Sequence, residues 1–193
     1  GLIPQSKDHP PLLYIVTSWS MQIFGDTAFA LRLPSAIIGT LAIPILLAAA
    51  TQMGYRWAGL WAALLLALSP FHLHHAQEAR HYAYLMTFSL AAFFWLYQLL
   101  HRPNWRHCLA FALATLLNIY AHYAAFVFLF VQALIIAWWS LGQIRQGQWR
   151  SLKYPVAAAI LVVLLYIPWL SQFQAGLTRN TGDAYTRLLP PAT

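Results

Sequence analysis

Asp8-His9-Pro10-Pro11-Leu12 and Gln77-Glu78-Ala79-Arg80 are two small polar islands in a chain that is 61% hydrophobic and 8% charged. Ionisable side chains are costly near lipid, so those retained in such a sequence mark functional positions. Arg80 offers a planar guanidinium suited to phosphate. Glu78 is a carboxylate able to act as a base or a metal ligand. Pro10-Pro11 fixes two successive φ angles and removes two N–H donors, which starts a helix rigidly. An imidazole and a carboxylate at such a start, His9 and Asp8, suit a phosphate or a metal ion. Each island also has a plainer reading. Asp8 caps a helix and complements its dipole, and Glu78 with Arg80 is a solvated loop whose local ion pair is worth little. His72, His74 and His75 match no known metal-ligand spacing. His122 and Tyr123 fit either an interfacial belt or the wall of a lipid-phosphate pocket. One shared site requires both islands on one membrane face.

The elements that would position them are membrane helices. A soluble domain carries about 25% charged residues, whereas mean hydropathy here is +0.58. About 20 apolar residues cross the hydrocarbon. Leu33 to Met53 is uncharged for 21 residues, the Gly54-Tyr55-Arg56 turn follows, and Trp57 to about Phe71 runs back. Tyr82 to Leu100 spans again before the basic turn His101 to Arg106. His107 to Ile144 is uncharged for 38 residues, about 57 Å as one helix and too long for a single crossing. It must fold near Asn118-Ile119-Tyr120-Ala121-His122-Tyr123, the polar cluster at its middle. Tyr154 to about Leu170 is the last span. Pro11 to Gly25 is 15 residues, about 21 Å as a helix, which suits the interface better than a crossing. Leu12, Ile15, Val16, Trp19 and Ile23 form its apolar stripe.

The expected fold is therefore all-α, a polytopic transmembrane helix bundle of about six spanning helices plus an interfacial amphipathic helix. Residues 1–32 are read as the C-terminal part of a first external loop with the interfacial helix at 11–24. Residues 33–178 form the bundle with an external loop at 72–82, and residues 179–193 begin a further external loop. Gly1 opens a polar segment and Pro190-Pro191-Ala192-Thr193 closes the chain, as in an internal piece of a larger membrane protein. Parity puts Arg56, Arg102, Arg106, Arg145, Arg150 and Lys153 on one face. Asp8, Asp26, Glu78 and Asp183 fall on the other, with Lys7, Arg32, Arg80, Arg179 and Arg187. The short loops of the first face are purely basic, which places it in the cytoplasm. Arg32 precedes a span and can simply anchor it, and Trp138-Trp139 is an interface anchor. The single cysteine, Cys108, excludes an internal disulfide and a cysteine metal site. The +7 net charge is scattered between apolar runs, so topology accounts for it and nucleic acid is not an expected partner.

In order along the chain, Asp8-His9-Pro10-Pro11-Leu12, Phe24-Gly25-Asp26, Arg32-Leu33-Pro34-Ser35 with Gly39, Ser69-Pro70, and Gln77-Glu78-Ala79-Arg80 with Tyr82 resemble the protein O-mannosyltransferase and aminoarabinose transferase group, of GT-C fold. The match covers about residues 5 to 95. Protein mannosyltransferases carry a similar Asp-x-His-Pro-Pro-Leu; here Asp8 directly precedes His9, so that acid is shifted in register. Gln77-Glu78-Ala79-Arg80 loosely resembles their Gln-Ser-Arg-Tyr-like run. Beyond residue 100 only the hydropathy and His122-Tyr123 fit.

The resemblance implies a glycosyltransferase that uses a polyprenyl-phosphate-linked sugar on the non-cytoplasmic face, with a lipid, glycan or protein acceptor, and the bacterial plasma membrane as its location. Asp8 and Glu78 would be its catalytic carboxylates. Lys7, His9, Arg80, Tyr82, His122 and Tyr123 would bind substrate, and direct displacement would invert the anomeric carbon. It implies no certain cofactor, with a divalent metal ion possible. The family's principal acid, an Asp-Glu pair, lies upstream of its His-Pro-Pro, and no such pair precedes His9. The resemblance thus implies that these residues form half a site and do not act alone. The alternative class is a transporter or channel subunit with a polar external vestibule. It would need ionisable residues mid-span, and the sequence places them between spans.

Overall fold

The computed structural model describes residues 10–170, and all regular structure among them is helical. Eight α-helices follow one another: α1 (Leu12–Phe24), α2 (Ala28–Gln52), α3 (Arg56–Leu68), α4 (Pro70–Gln77), α5 (Tyr82–His101), α6 (Trp105–Ala121), α7 (Ala125–Arg145) and α8 (Lys153–Tyr166). Short polar side chains set several starts. Thr27 Oγ1 accepts the Ala30 N–H at 3.1 Å, and Asn104 Oδ1 accepts the His107 N–H at 2.9 Å, each satisfying a donor that the first helical turn leaves open. Gly54, at φ +88°, makes the left-handed turn between α2 and α3.

Four helices are long and apolar enough to cross a membrane: α2, α5, α7, and α8 with its preceding 3-10 turn from Trp149. A fifth span results if α3 and α4, bent by 58° at their junction, count as one. Of the about six spans expected, four or five meet this measure, and α6 is the one left over. It has 17 residues and buries Asn118 and Thr115 with its apolar positions. One broad face lies against protein, while Leu109 and Leu113 are exposed. Asn118 Nδ2 donates to Ser89 Oγ of α5 at 3.0 Å in the interior, which satisfies one of its buried donors. The 38-residue uncharged run does divide where its polar cluster lies, with α6 ending at Ala121 and α7 starting at Ala125.

Antiparallel α5 and α6 form the centre. α2 lies against α5, where Thr87 Oγ1 donates to the Ile38 carbonyl at 2.9 Å, and α8 lies against α6 through Ala158 and Val162. One end of this hairpin is defined by Tyr97 Oη donating to the Gln52 carbonyl at 3.4 Å, which gathers the α2–α3 and α5–α6 connections. At the other end Leu13 of α1 packs with Ala83, Tyr84 and Ala121. The connections before α5 and after α6 therefore share an end with the start of α1.

The 13 residues of α1 reach about 20 Å. The helix buries Leu13, Thr17, Ser20 and Met21 and leaves Ile15, Trp19 and Ile23 of its apolar stripe exposed. Its smaller, more polar side faces the protein. Ser20 makes the firmest link. Pro34 lies inside α2 and has no N–H, so the Ala30 carbonyl loses its ordinary i+4 donor. Ser20 Oγ donates to that carbonyl at 2.6 Å, in a buried position. Ser20→Ala is expected to destabilise the protein by about 1–3 kcal/mol, the cost of an unsatisfied buried acceptor. Thr40→Ala, which removes an exposed bond to Ala36, should stay within about 0.5 kcal/mol. Thermal unfolding followed by tryptophan fluorescence compares the two, and equal midpoints would refute the assignment.

Candidate active site

The polar island of residues 72–82 is helical over its first half. Ser69 has extended backbone (φ −65°, ψ 118°) and ends α3, and Pro70, which cannot donate to the preceding turn, occupies the first turn of α4. Ser69 Oγ caps the new helix from the His72 N–H at 3.4 Å. The eight-residue α4 then ends at Gln77, and only residues 78–81 are irregular. Gly39 pins this short helix to α2: a Cβ added there would stand 2.8 Å from Ala76 Cβ and 3.3 Å from Ala76 Cα.

Glu78 is the hub. Its Oε1 lies 3.2 Å from His74 Nε2, and its Oε2 lies 3.3 Å from His75 Nδ1 and 3.9 Å from Arg80 Nε. The Glu78 side chain is 27% exposed and that of Arg80 is 66% exposed, so the carboxylate is held inside the turn while the guanidinium faces outward. From His75 a series of rings leads across the end of the bundle. The His75 ring centroid is 5.0 Å from Tyr82, and Tyr82 stacks on His122 at 6.0 Å and 28°. His81 meets His122 edge-on at 5.9 Å, and Tyr14 of α1 meets His81 at the same distance. His122 Nδ1 accepts the Ala124 N–H at 2.9 Å. In the neutral ring this assigns the proton to Nε2, leaving that nitrogen as a donor. Tyr123 follows in the same turn, half-buried, and its carbonyl accepts the Phe126 N–H at 3.0 Å.

Of the residues named from sequence, Glu78, Arg80, Tyr82 and His122 are thus joined by contacts, with Tyr123 adjoining. Lys7, Asp8 and His9 lie outside the described residues. Pro10 is fully buried, and the start of α1 that it precedes touches the same end through Leu13 and Tyr14. The three histidines do not form one group. His72 is 4% exposed and buried in the fold, whereas His74 and His75 converge on Glu78. Helical spacing accounts for this: Glu78 follows His74 by four residues and His75 by three, the intervals that share a face. That signal was present in the sequence. The contribution of His81 and Tyr14 was not, because it depends on packing between distant segments. An apolar cavity of about 320 Å³ bordered by Met53, Phe93, Tyr97 and Leu100 lies at the other end and shares no residue with this patch.

A helical bundle with four or five spanning-length apolar helices and a polar patch gathered at one end is a multi-pass integral membrane protein. The profile of the dolichyl-phosphate-mannose-protein mannosyltransferases matches residues 8–171, most of the 193-residue chain. The chain belongs to that family of membrane glycosyltransferases. Comparison with curated proteins and with solved structures returns no match. Family membership removes the transporter reading.

Proposed function

We propose that the protein transfers a sugar from a polyprenyl-phosphate donor to a lipid, glycan or protein acceptor on the non-cytoplasmic side of the membrane. The observation that carries this reading is the pairing of Glu78 with Arg80 at the bundle end where α1 begins, inside the family-matched region. An acceptor hydroxyl attacks the anomeric carbon. The new C–O bond forms as the bond to the phosphate oxygen breaks, the hydroxyl proton passes to a carboxylate, and the configuration inverts. Charge grows on the departing phosphate, and preorganised donors in a poorly hydrated place stabilise it. Arg80 supplies a guanidinium that faces outward, and His122, stacked on Tyr82, an imidazole. Lys7 and His9 add cationic and imidazole groups from the segment before α1. Glu78, with Asp8, orients the acceptor, while Tyr82 and Tyr123 line the binding surface. The apolar helix faces receive the polyprenyl chain.

Two supports come from the chain itself. The exposed Ile15, Trp19 and Ile23 of α1 suit a helix lying in the interface, which supports reading both polar islands on one side. The purely basic connections at 54–56 and 102–106 suit the cytoplasmic side. The test is turnover by the full-length protein in liposomes, with a panel of polyprenyl-phosphate hexoses and pentoses. Glu78→Gln should lower donor consumption by about 10²-fold or more, the scale of a positioned acid–base group. A wild-type rate in a correctly inserted Glu78→Gln protein would remove Glu78 from the chemistry. Failure of the intact protein to consume any donor of this class would overturn the function.

A further inference from the structure

We propose that His74, His75 and Glu78 form a binding site for a divalent transition metal ion of the zinc type. The proposal goes beyond the transfer reaction and does not depend on it.

Two imidazole nitrogens and a carboxylate oxygen are the ligand types that zinc takes in sites with three protein ligands and an open fourth position. Ligands about 2.1 Å from a tetrahedral ion stand about 3.4 Å apart. Here the two histidine nitrogens lie 3.2 and 3.3 Å from the Glu78 oxygens, and the three ligand atoms fall within 4.8 Å of one another. The two nitrogens face different Glu78 oxygens, and side-chain rotation that draws the widest pair in from at most 4.8 Å brings all three around one ion.

The frame is also fixed. α4 begins on the Ser69 cap and Pro70 and is held to α2 by the Gly39–Ala76 approach. The His75 ring stands between Phe71, at 4.4 Å, and Tyr82, at 5.0 Å, which limits its rotation. His74 is 65% exposed, so an ion can enter from that side and keep a position for an external oxygen ligand. Arg80 does not block entry, because its contact with Glu78 is long, at 3.9 Å, and its side chain is 66% exposed. The plainer account is that protonated histidines merely pair with Glu78, and metal affinity separates the two.

The experiment titrates Co²⁺ into the detergent-solubilised full-length protein, purified on a histidine-free tag and treated with a chelator. The expected result is the visible absorption of four-coordinate cobalt, saturating at one ion per chain and abolished by Zn²⁺. Zn²⁺ should also raise the thermal midpoint, since binding to the folded state alone stabilises it. The double substitution His74→Ala with His75→Ala should lose both responses while its metal-free midpoint stays near that of the parent. His101→Ala with His107→Ala, at the other end of the bundle, should keep both. No cobalt spectrum in the parent, or an unchanged one in the His74/His75 double variant, would overturn the site. Glu78→Gln separates this proposal from the transfer reading: it should weaken the cobalt spectrum even in a preparation that consumes no donor.

Discussion

Arg80→Ala in the full-length protein is expected to slow sugar transfer by roughly 10²-fold, about 3 kcal/mol in the barrier, the scale seen when one preorganised transition-state donor is lost. Arg80 is 66% exposed and touches Glu78 only at 3.9 Å, so its removal leaves the packing of α4 and α5 intact and the effect should appear in turnover. Arg80→Lys keeps the charge and loses the planar fork that grips two phosphate oxygens, and it too should be strongly impaired. Arg56→Ala serves as the comparison. Arg56 starts α3 at the opposite end of the bundle and lies over the Trp57 ring at 5.9 Å, so its loss should leave turnover unchanged. Donor consumption by the two alanine variants, measured side by side in protein of equal insertion, decides the matter. Near-normal rates for Arg80→Ala would reduce residues 78–81 to a solvated turn and pass the phosphate role to His9.

Gly39→Leu should both destabilise the bundle and disturb the site. A single methyl group at Gly39 already falls 2.8 Å from Ala76 Cβ, 3.3 Å from the Ala76 backbone and 3.6 Å from Ala83 Cβ. Two of these contacts belong to one helix turn that cannot swing away as a flexible side chain would. A leucine must push α4 off α2, at the 1–3 kcal/mol typical of overpacking, and Ala76 lies two residues before Glu78. Stability and site geometry should therefore fall together. Gly142→Leu on α7 meets nothing within 4 Å and replaces a poor helix former with a good one, so its midpoint should hold or rise. Thermal midpoints of the two variants test this, and an unchanged Gly39→Leu midpoint would refute the close packing described for α2 and α4.

The sequence was readable where one property governed the outcome. The short uncharged run at Pro11–Gly25 does form a short helix, the 13-residue α1, and the Asn118–Tyr123 cluster marked the division between α6 and α7 because no single helix of 38 residues fits a bilayer. It was less readable where partners governed. Hydropathy does not reveal which face of α6 packs on α5 and α8, because that depends on its neighbours. The span expected from Trp57 to about Phe71 instead ends at Leu68, and the return to helix over Pro70–Gln77 rests on the Ser69 cap and on the Gly39 contact, one local and one thirty-seven residues away. The same division applies to the site. Glu78 and Arg80 stood out by charge, whereas the placing of Tyr82 against His122 came only from the antiparallel pairing of α5 and α6.

That pairing orders events during synthesis. Tyr82 stacks on His122, and 42 residues separate Arg80 from His122. At about 5–20 residues per second on the ribosome, the first half of the patch exists for a few seconds before the second is made. Throughout that interval Glu78 and Arg80 exist without the ring that stacks on Tyr82. A nascent chain halted before residue 122 holds the charges but not the stacked ring, so the patch matures only after the hairpin behind it has closed.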